Sequence, residues 1–253
     1  MNIMKIRQEH LEKLQQQFCI DFNCNLEDLK KDKNIVTVWK KNDKRRWYVD
    51  YPLAIRAATY YDKILISVDE RLYDWAKDMF LEKFSGFAFS YQNLKMIDQK
   101  LNSIGQELKD VYNYYLPIES YPQAEKKYCL KWFEKDDMEQ FRGKDGFSEA
   151  IAFQEHCPDV LAVAAMNGDE IMGIAGASED GRDLWQIGID VKEEYRGKGL
   201  AVNLVQNLKD EIIRRGKVPF YGMVSSHNVS KSVAAKAGFF PVWTEIFGGP
   251  IKY

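Results

Sequence analysis

Trp185-Gln186-Ile187-Gly188-Ile189-Asp190-Val191 runs through Lys192-Glu193-Glu194-Tyr195 into Arg196-Gly197-Lys198-Gly199-Leu200-Ala201, and this join decides the fold. The first seven residues are apolar-rich and β-branched, as a buried strand requires. Beyond the glycines, Leu200, Leu204, Leu208 and Ile212 recur every four residues, which lays them on one helical face. Arg214-Arg215-Gly216 closes that helix with basic charge and a C-cap glycine. A strand that turns through glycines into a helix exposes the unpaired amides of the first helical turn, with about half a positive charge behind them. The result is an anion site. Gly197 and Gly199 keep side chains away from the backbone, and Arg196 and Lys198 add charged donors.

Working outward, strands are expected at 127–133, 159–166, 170–178 and 184–191, with Asn167-Gly168-Asp169 as a hairpin turn. Asp136-Asp137 begin a short helix. After the helix at 197–215 come a strand at 218–224, a short helix at 229–237 stopped by Gly238, and a last strand at 239–246. Before residue 120, helices are expected up to Phe18, around 26–31, after the cap Asp69 and at 93–101. Strands are expected at 35–39, 46–49, 53–59 and 64–68. Pro117 and Pro122 interrupt both kinds of pattern, so the chain divides into 1–119 and 120–253. Both parts are mixed α/β.

The glycine turn is not one of the common nucleotide loops. Val202 breaks the dinucleotide pattern G-x-G-x-x-G/A, and Asp210 and Glu211 come too early for its ribose-binding acid. The P-loop pattern is absent. Arg196, Gly199 and Ala201 do fit Arg/Gln-x-x-Gly-x-Gly/Ala, and a later strand-helix-strand ends in Lys236-Ala237-Gly238-Phe239. In this pattern and context residues 125–253 resemble the GNAT superfamily of N-acetyltransferases.

That resemblance implies a mixed central sheet flanked by helices in 120–253, preceded by a smaller α/β domain. It implies acetyl-CoA as co-substrate, its pyrophosphate held by the amides of Gly197, Lys198, Gly199, Leu200 and Ala201 beside Arg196. Backbone groups of Ile189 and Val191 would pair with the pantetheine arm, a form of edge addition, and Asn228 and Ser230 would face the same ligand. An amine would attack the thioester directly, without a covalent enzyme intermediate.

The family pattern often places a proton-donating tyrosine where this chain has Ala234, and an asparagine where it has His227; Asn228 takes that place if the loop slips by one. The substitute acid is therefore open among His227, Tyr221, Ser230 and Ser232, against a plain helix cap. Asp183 aligns with the family's general base at the start of its strand, with Asp190 and Glu245 as other carboxylates and a solvated turn as the bland use of Asp183.

Residues 1–119 faintly echo a strand-loop-helix, but Asp69-Glu70-Arg71 puts acidic side chains where a phosphate would sit. This part resembles the degenerate leading half of paired bacterial GNAT proteins and is expected not to bind CoA. Tyr112, Tyr114, Tyr115, Trp47 and Tyr48 are expected in core packing, or as the lining of an acceptor pocket.

Composition limits the alternatives. With 36 basic and 38 acidic side chains in 253 residues, no basic field draws in nucleic acid or an anionic membrane. The longest apolar run, Val160–Met166, is far below the ~20 residues of a span. The chain opening lacks a signal-peptide core, so a cytoplasmic protein is expected. Four cysteines and three histidines show no metal-ligand spacing, and no metal is expected. The expected function is acetyl transfer from acetyl-CoA to a small-molecule or peptide primary amine, with a homodimer left open. Two other classes stand beside it: a non-catalytic acyl-CoA sensor and an aminoacyl-tRNA-dependent transferase with tandem GNAT-like halves.

Overall fold

The computed structural model describes residues 5–46, 51, 53–121, 123–125 and 127–251. Helices α1 (Gln8–Asp21) and α2 (Leu26–Lys30) lead into strands β1 (Ile35–Val38), β2 (Ile55–Tyr60) and β3 (Lys63–Val68). Next come α3 (Tyr73–Phe80), α4 (Tyr91–Asn102) and β4 (Gln106–Pro117). Strand β5 (Cys129–Glu134) and a 3-10 stretch (Lys135–Phe141) precede β6 (Asp159–Asn167), β7 (Glu170–Glu179) and β8 (Leu184–Val191). Helix α5 (Leu200–Arg214), β9 (Val218–Val224), α6 (Asn228–Lys236) and β10 (Phe239–Pro250) complete the chain.

All the described strands form one mixed sheet in the order β1-β3-β2-β10-β4-β9-β8-β7-β6-β5. Two pairs, β1/β3 and β8/β9, are parallel. Strand β4, which no sequence pattern marked, lies between β9 and β10 and pairs with both. The sheet is thus shared by the segments on either side of the prolines. The strand expected at 46–49 lies almost wholly outside the described residues, as do Trp47 and Tyr48.

Pleat alternation assigns the two faces. On one, α5 buries Leu200, Leu204, Val205, Leu208 and Ile212 against Val163, Ala175, Ala177, Trp185 and Ile187. Each such aliphatic side chain contributes roughly 1.5–3 kcal/mol of burial. Helices α3 and α4 cover the same face farther along, over Ile64, Ile66 and Ile246. The opposite face is covered by α1, with Leu14, Phe18 and Phe22 against Tyr114, Phe220 and Trp243. There too the segment after β5 packs Met138, Phe141, Ala150 and Ile151 on Ala162, Ala164 and Ile174.

Within the α1 layer four buried charges pair with one another. Arg46 pairs with Asp21 at 2.5 Å and Glu245 at 3.5 Å, and Arg56 pairs with the same two carboxylates. Arg45, 5% exposed, adds a third cation that interacts with Asp21, and aromatic faces of Phe18, Tyr114 and Trp243 surround the Arg46 guanidinium.

Candidate functional site

Strands β8 and β9 pair over only Leu184–Gln186 and Val218–Phe220. Beyond that point β8 continues on β7, and β9 continues on β4. The two diverge into a slot. A cavity of about 450 Å³ fills it. On the α1 side its lining includes Ser178, Gln186 and Tyr114; on the α5 side it includes Tyr221 and Met223. These neighbours alternate in the pleat, so the cavity passes through the sheet. Groups approaching from opposite faces can meet in it.

The cover on the α1 side sits unusually low. At Gly176 and Gly188, which face one another across β7 and β8, a Cβ would come within 1.8 Å of the carbonyl oxygens of Ala150 and Glu149 respectively. Asp190 fixes this segment, because its Oδ2 accepts the amides of Glu149 and Ala150, both at 2.9 Å. Burial raises the Asp190 pKa, against those two hydrogen bonds. Asp190 is therefore a clamp for the cover segment.

On the α5 side, the glycine turn is as the sequence expects. Gly197 and Gly199 adopt φ +75° and +80°, and nothing lies within 4 Å of a Cβ built on either. Gly199 caps α5, so the unpaired amides of Leu200 and Ala201 face an open surface. The turn is held from behind by Tyr128, whose hydroxyl donates to the Lys198 carbonyl at 3.1 Å. The two charged side chains fold back: Arg196 Nε donates to Val191 O and Lys198 Nζ to Glu194 O, each at 3.1 Å. Past Gln186 the slot-side edge of β8, with Ile189 and Val191, pairs with no strand among the described residues. An extended chain ending in a pyrophosphate fits this edge and turn.

Of the proton-transfer candidates, the structure brings Tyr221, His227 and Ser230 to the cavity. Ser230 Oγ lies 3.1 Å from His227 Nδ1. Burial pushes the Tyr221 hydroxyl up to about 12, partly offset by a hydrogen bond with Ser230. Asn228 opens α6 beside them. Ala234, at the family's tyrosine position, is fully buried in the α5-side core. Asp183 is not brought in: it sits at the far end of β8, 3.6 Å from Lys217 and 3.7 Å from Arg182. Glu245 is 1% exposed and belongs to the charge quartet.

Three carboxylates line the cavity that no motif marked: Glu149, Asp159 and Asp180. Burial pushes Asp180 up to about 7, opposed by a hydrogen bond from Ser178 and by the Arg46 charge. Burial also raises Asp159, against the amides of Phe153 and Ala152. The only sequence signal for them was Asp180 in an acidic turn, which reads as solvated. Among the described residues no cluster of three or more His, Cys, Asp or Glu could hold a metal ion, and no helix is long and apolar enough to cross a membrane.

Comparison with known proteins finds one family model and several solved structures similar to this chain. A GNAT-family acetyltransferase from Colwellia psychrerythraea is 12% identical, covering 80% of this chain and 83% of its own, with a TM-score of 0.46. A putative GNAT acetyltransferase from Novosphingobium aromaticivorans is 15% identical over 58% of this chain and 69% of its own, at 0.43. A putative acetyltransferase from Salmonella typhimurium, solved with acetyl-CoA, is 17% identical over 49% and 94%, at 0.35. No curated protein matches the chain. The family model described as acetyltransferase (GNAT) family matches residues 119–239, which span β5 to the start of β10, the slot and the glycine turn. Over residues 119–239 this chain is thus similar to the acetyltransferase (GNAT) family.

Proposed function

We propose that the chain is an acetyl-CoA-dependent N-acetyltransferase acting on a primary amine. The observation that carries this is the cavity that crosses the sheet at the β8–β9 slot, next to a helix-start turn with open amides. Acetyl-CoA supplies an acetyl thioester for direct attack by the amine. Gly197 to Ala201 would hold its pyrophosphate, and the free edge at Ile189 and Val191 would take its pantetheine arm. The amine enters from the α1 face, so the donor need not leave before the acceptor arrives.

The chain's own residues supply the proton path. Tyr221 lines the cavity and its hydroxyl carries its proton at neutral pH, as a phenol does, with burial pushing its pKa up to about 12. It therefore enters the slot as a donor for the leaving sulfur, with Ser230 and His227 behind it. Glu149 takes the amine proton: it lines the cavity, and its charge acts on Tyr112, Tyr221 and Asp190. Asp183, the sequence candidate for this role, faces away. A cytoplasmic location, no required metal and no nucleic-acid partner belong to the same proposal, with residues 1–119 completing the acceptor side and binding no CoA.

Isothermal titration with acetyl-CoA tests the reading. One site per chain is expected, together with CoA release when amines are added. Gly199→Glu puts an acid at the anion site; a side chain at φ +80° is strained there, so thermal unfolding checks that the variant folds, and affinity should fall at least about tenfold. Unchanged affinity in that variant, or no binding by wild type, would sink the assignment. Binding without turnover over a broad amine panel would leave the acyl-CoA sensor instead.

A further inference from the structure

The α1-side chamber has a one-sided chemistry. Strand register puts Asp159, Ser178 and Gln186 in a row across β6, β7 and β8. Asp180 closes the end of that row, 2.6 Å from the Ser178 hydroxyl. The Gln186 Oε1 atom is fully buried, lies in the cavity wall and accepts no hydrogen bond. Asp180 is 5% exposed and among the described residues accepts one hydrogen bond, from Ser178. Asp159 spends its oxygens on the amides of Ala152 and Phe153 but still brings its charge. Among the described residues no lysine or arginine lines the cavity. Arg46 reaches Asp180 electrostatically while pairing directly with Asp21 and Glu245.

Spare acceptors beside carboxylates in the cavity wall are satisfied by a compact cation with several N–H donors. We propose that this chamber holds the second ammonium group of a diamine or polyamine acceptor, between Asp180 and the Gln186 amide oxygen. The proposal rests on the acetyltransferase reading and narrows it. The polar row lies two residues along β7 and β8 from Gly176 and Gly188 at the slot, roughly 7 Å at the usual strand rise. An extended 1,4-diaminobutane reaches from one to the other. Its first amine stands beside Glu149, and its second is held by groups that a monoamine leaves unpaired.

The test is titration of the full chain with acetyl-CoA, then with 1,4-diaminobutane and n-butylamine at equal ionic strength. The diamine should bind roughly tenfold tighter or better, the worth of one hydrogen bond to a charged group. Asp180→Asn should bring it near n-butylamine while leaving the acetyl-CoA titration unchanged. Gln186→Met gives a second variant, and thermal unfolding of both checks that they fold. If acetyl-CoA binds but the two amines bind alike, or if the folded variants keep the preference, the diamine site is wrong and the acetyltransferase reading stands. If wild type binds no acetyl-CoA, both fall together.

Discussion

Replacing Gly188 by alanine tests the clamp on the cover segment. The new methyl would stand 1.8 Å from Glu149 O and 2.8 Å from the carbonyl carbon, while β7 fixes β8 on its other edge. The Glu149 carbonyl must withdraw by more than an ångström to reach ordinary contact. That stretches the two 2.9 Å bonds to Asp190 past hydrogen-bonding range. Hydrogen bonds to a charged group are worth about 1.5–3 kcal/mol when buried; half-exposed as Asp190 is, the pair contributes roughly 2 kcal/mol. Overpacking adds about 1 kcal/mol or more. The expected cost is thus ~3 kcal/mol, or roughly 6–12 °C in Tm for a chain of this size, read by urea and thermal unfolding. Asp190→Ala alone should cost about 2 kcal/mol through the same two amides. Since each change releases the same segment, the double variant should cost about 1 kcal/mol or more less than the sum. Both single variants should also raise KM for the amine by displacing Glu149, with acetyl-CoA affinity unchanged. A Gly188→Ala protein within about 0.5 kcal/mol of wild type, or strictly additive costs, would refute the clamp.

Tyr221→Phe should lower kcat by a factor of about 10²–10⁴ with unchanged acetyl-CoA binding, as loss of a general acid does; an unaltered kcat in stopped-flow assays removes it from the mechanism. Arg46→Met leaves Asp21 and Glu245 to share Arg56 alone and should cost about 3 kcal/mol in urea unfolding, part of it recovered by adding Asp21→Leu. Asp180 has a folded pKa of about 7, against about 3.9 unfolded. The folded state therefore binds more protons between these values, and this stabilisation is lost as pH rises through the window. Asp180→Asn should flatten the stability profile between about pH 4 and 7 and be the more stable protein at pH 8. In wild type, diamine binding should tighten as pH rises through about 7, where Asp180 ionises in the folded protein beside Ser178, Asp159, Asp21 and Arg46.

What the sequence reveals is what repeats locally. The β8 run, the glycines and the four-residue spacing of α5 are contiguous, so periodicity and turn chemistry place them to within a few residues. Strand β4 escapes because Gln106–Pro117 has no clean alternation. Its first half is polar and only half-buried at the sheet's open end, while Tyr112, Tyr114 and Tyr115 divide between the two faces. The charge quartet escapes for another reason. Asp21, Arg46, Arg56 and Glu245 come from four separate segments, and each alone reads as a surface charge. Asp183 and Asp180 show the same limit in miniature. They stand three residues apart in one acidic turn, and only packing decides that Asp180 points inward at Ser178 while Asp183 faces Lys217.

The slot follows from how the chain crosses the sheet. A parallel neighbour for β8 requires a crossover, and here α5 supplies it on one face. Strand β9 then has to serve two partners, and over Tyr221–Val224 it pairs with β4 rather than with β8. The hydrogen bonds that β8 lacks are left along its edge beside the helix-start amides. A donor with its own extended amide chain completes that edge, whereas a side chain or a fourth β8–β9 pair would close the passage. The glycines at 176, 188 and 222 keep the acceptor face of the passage low, with carbonyls or the Tyr114 ring lying directly on them. On the proposed acetyltransferase reading, acceptor specificity would reside in the few groups left uncovered there, Glu149, Asp180, Ser178 and Gln186, and the opposite face would serve the acyl donor. Exchanging acceptors would then mean changing those four positions without touching the glycine turn.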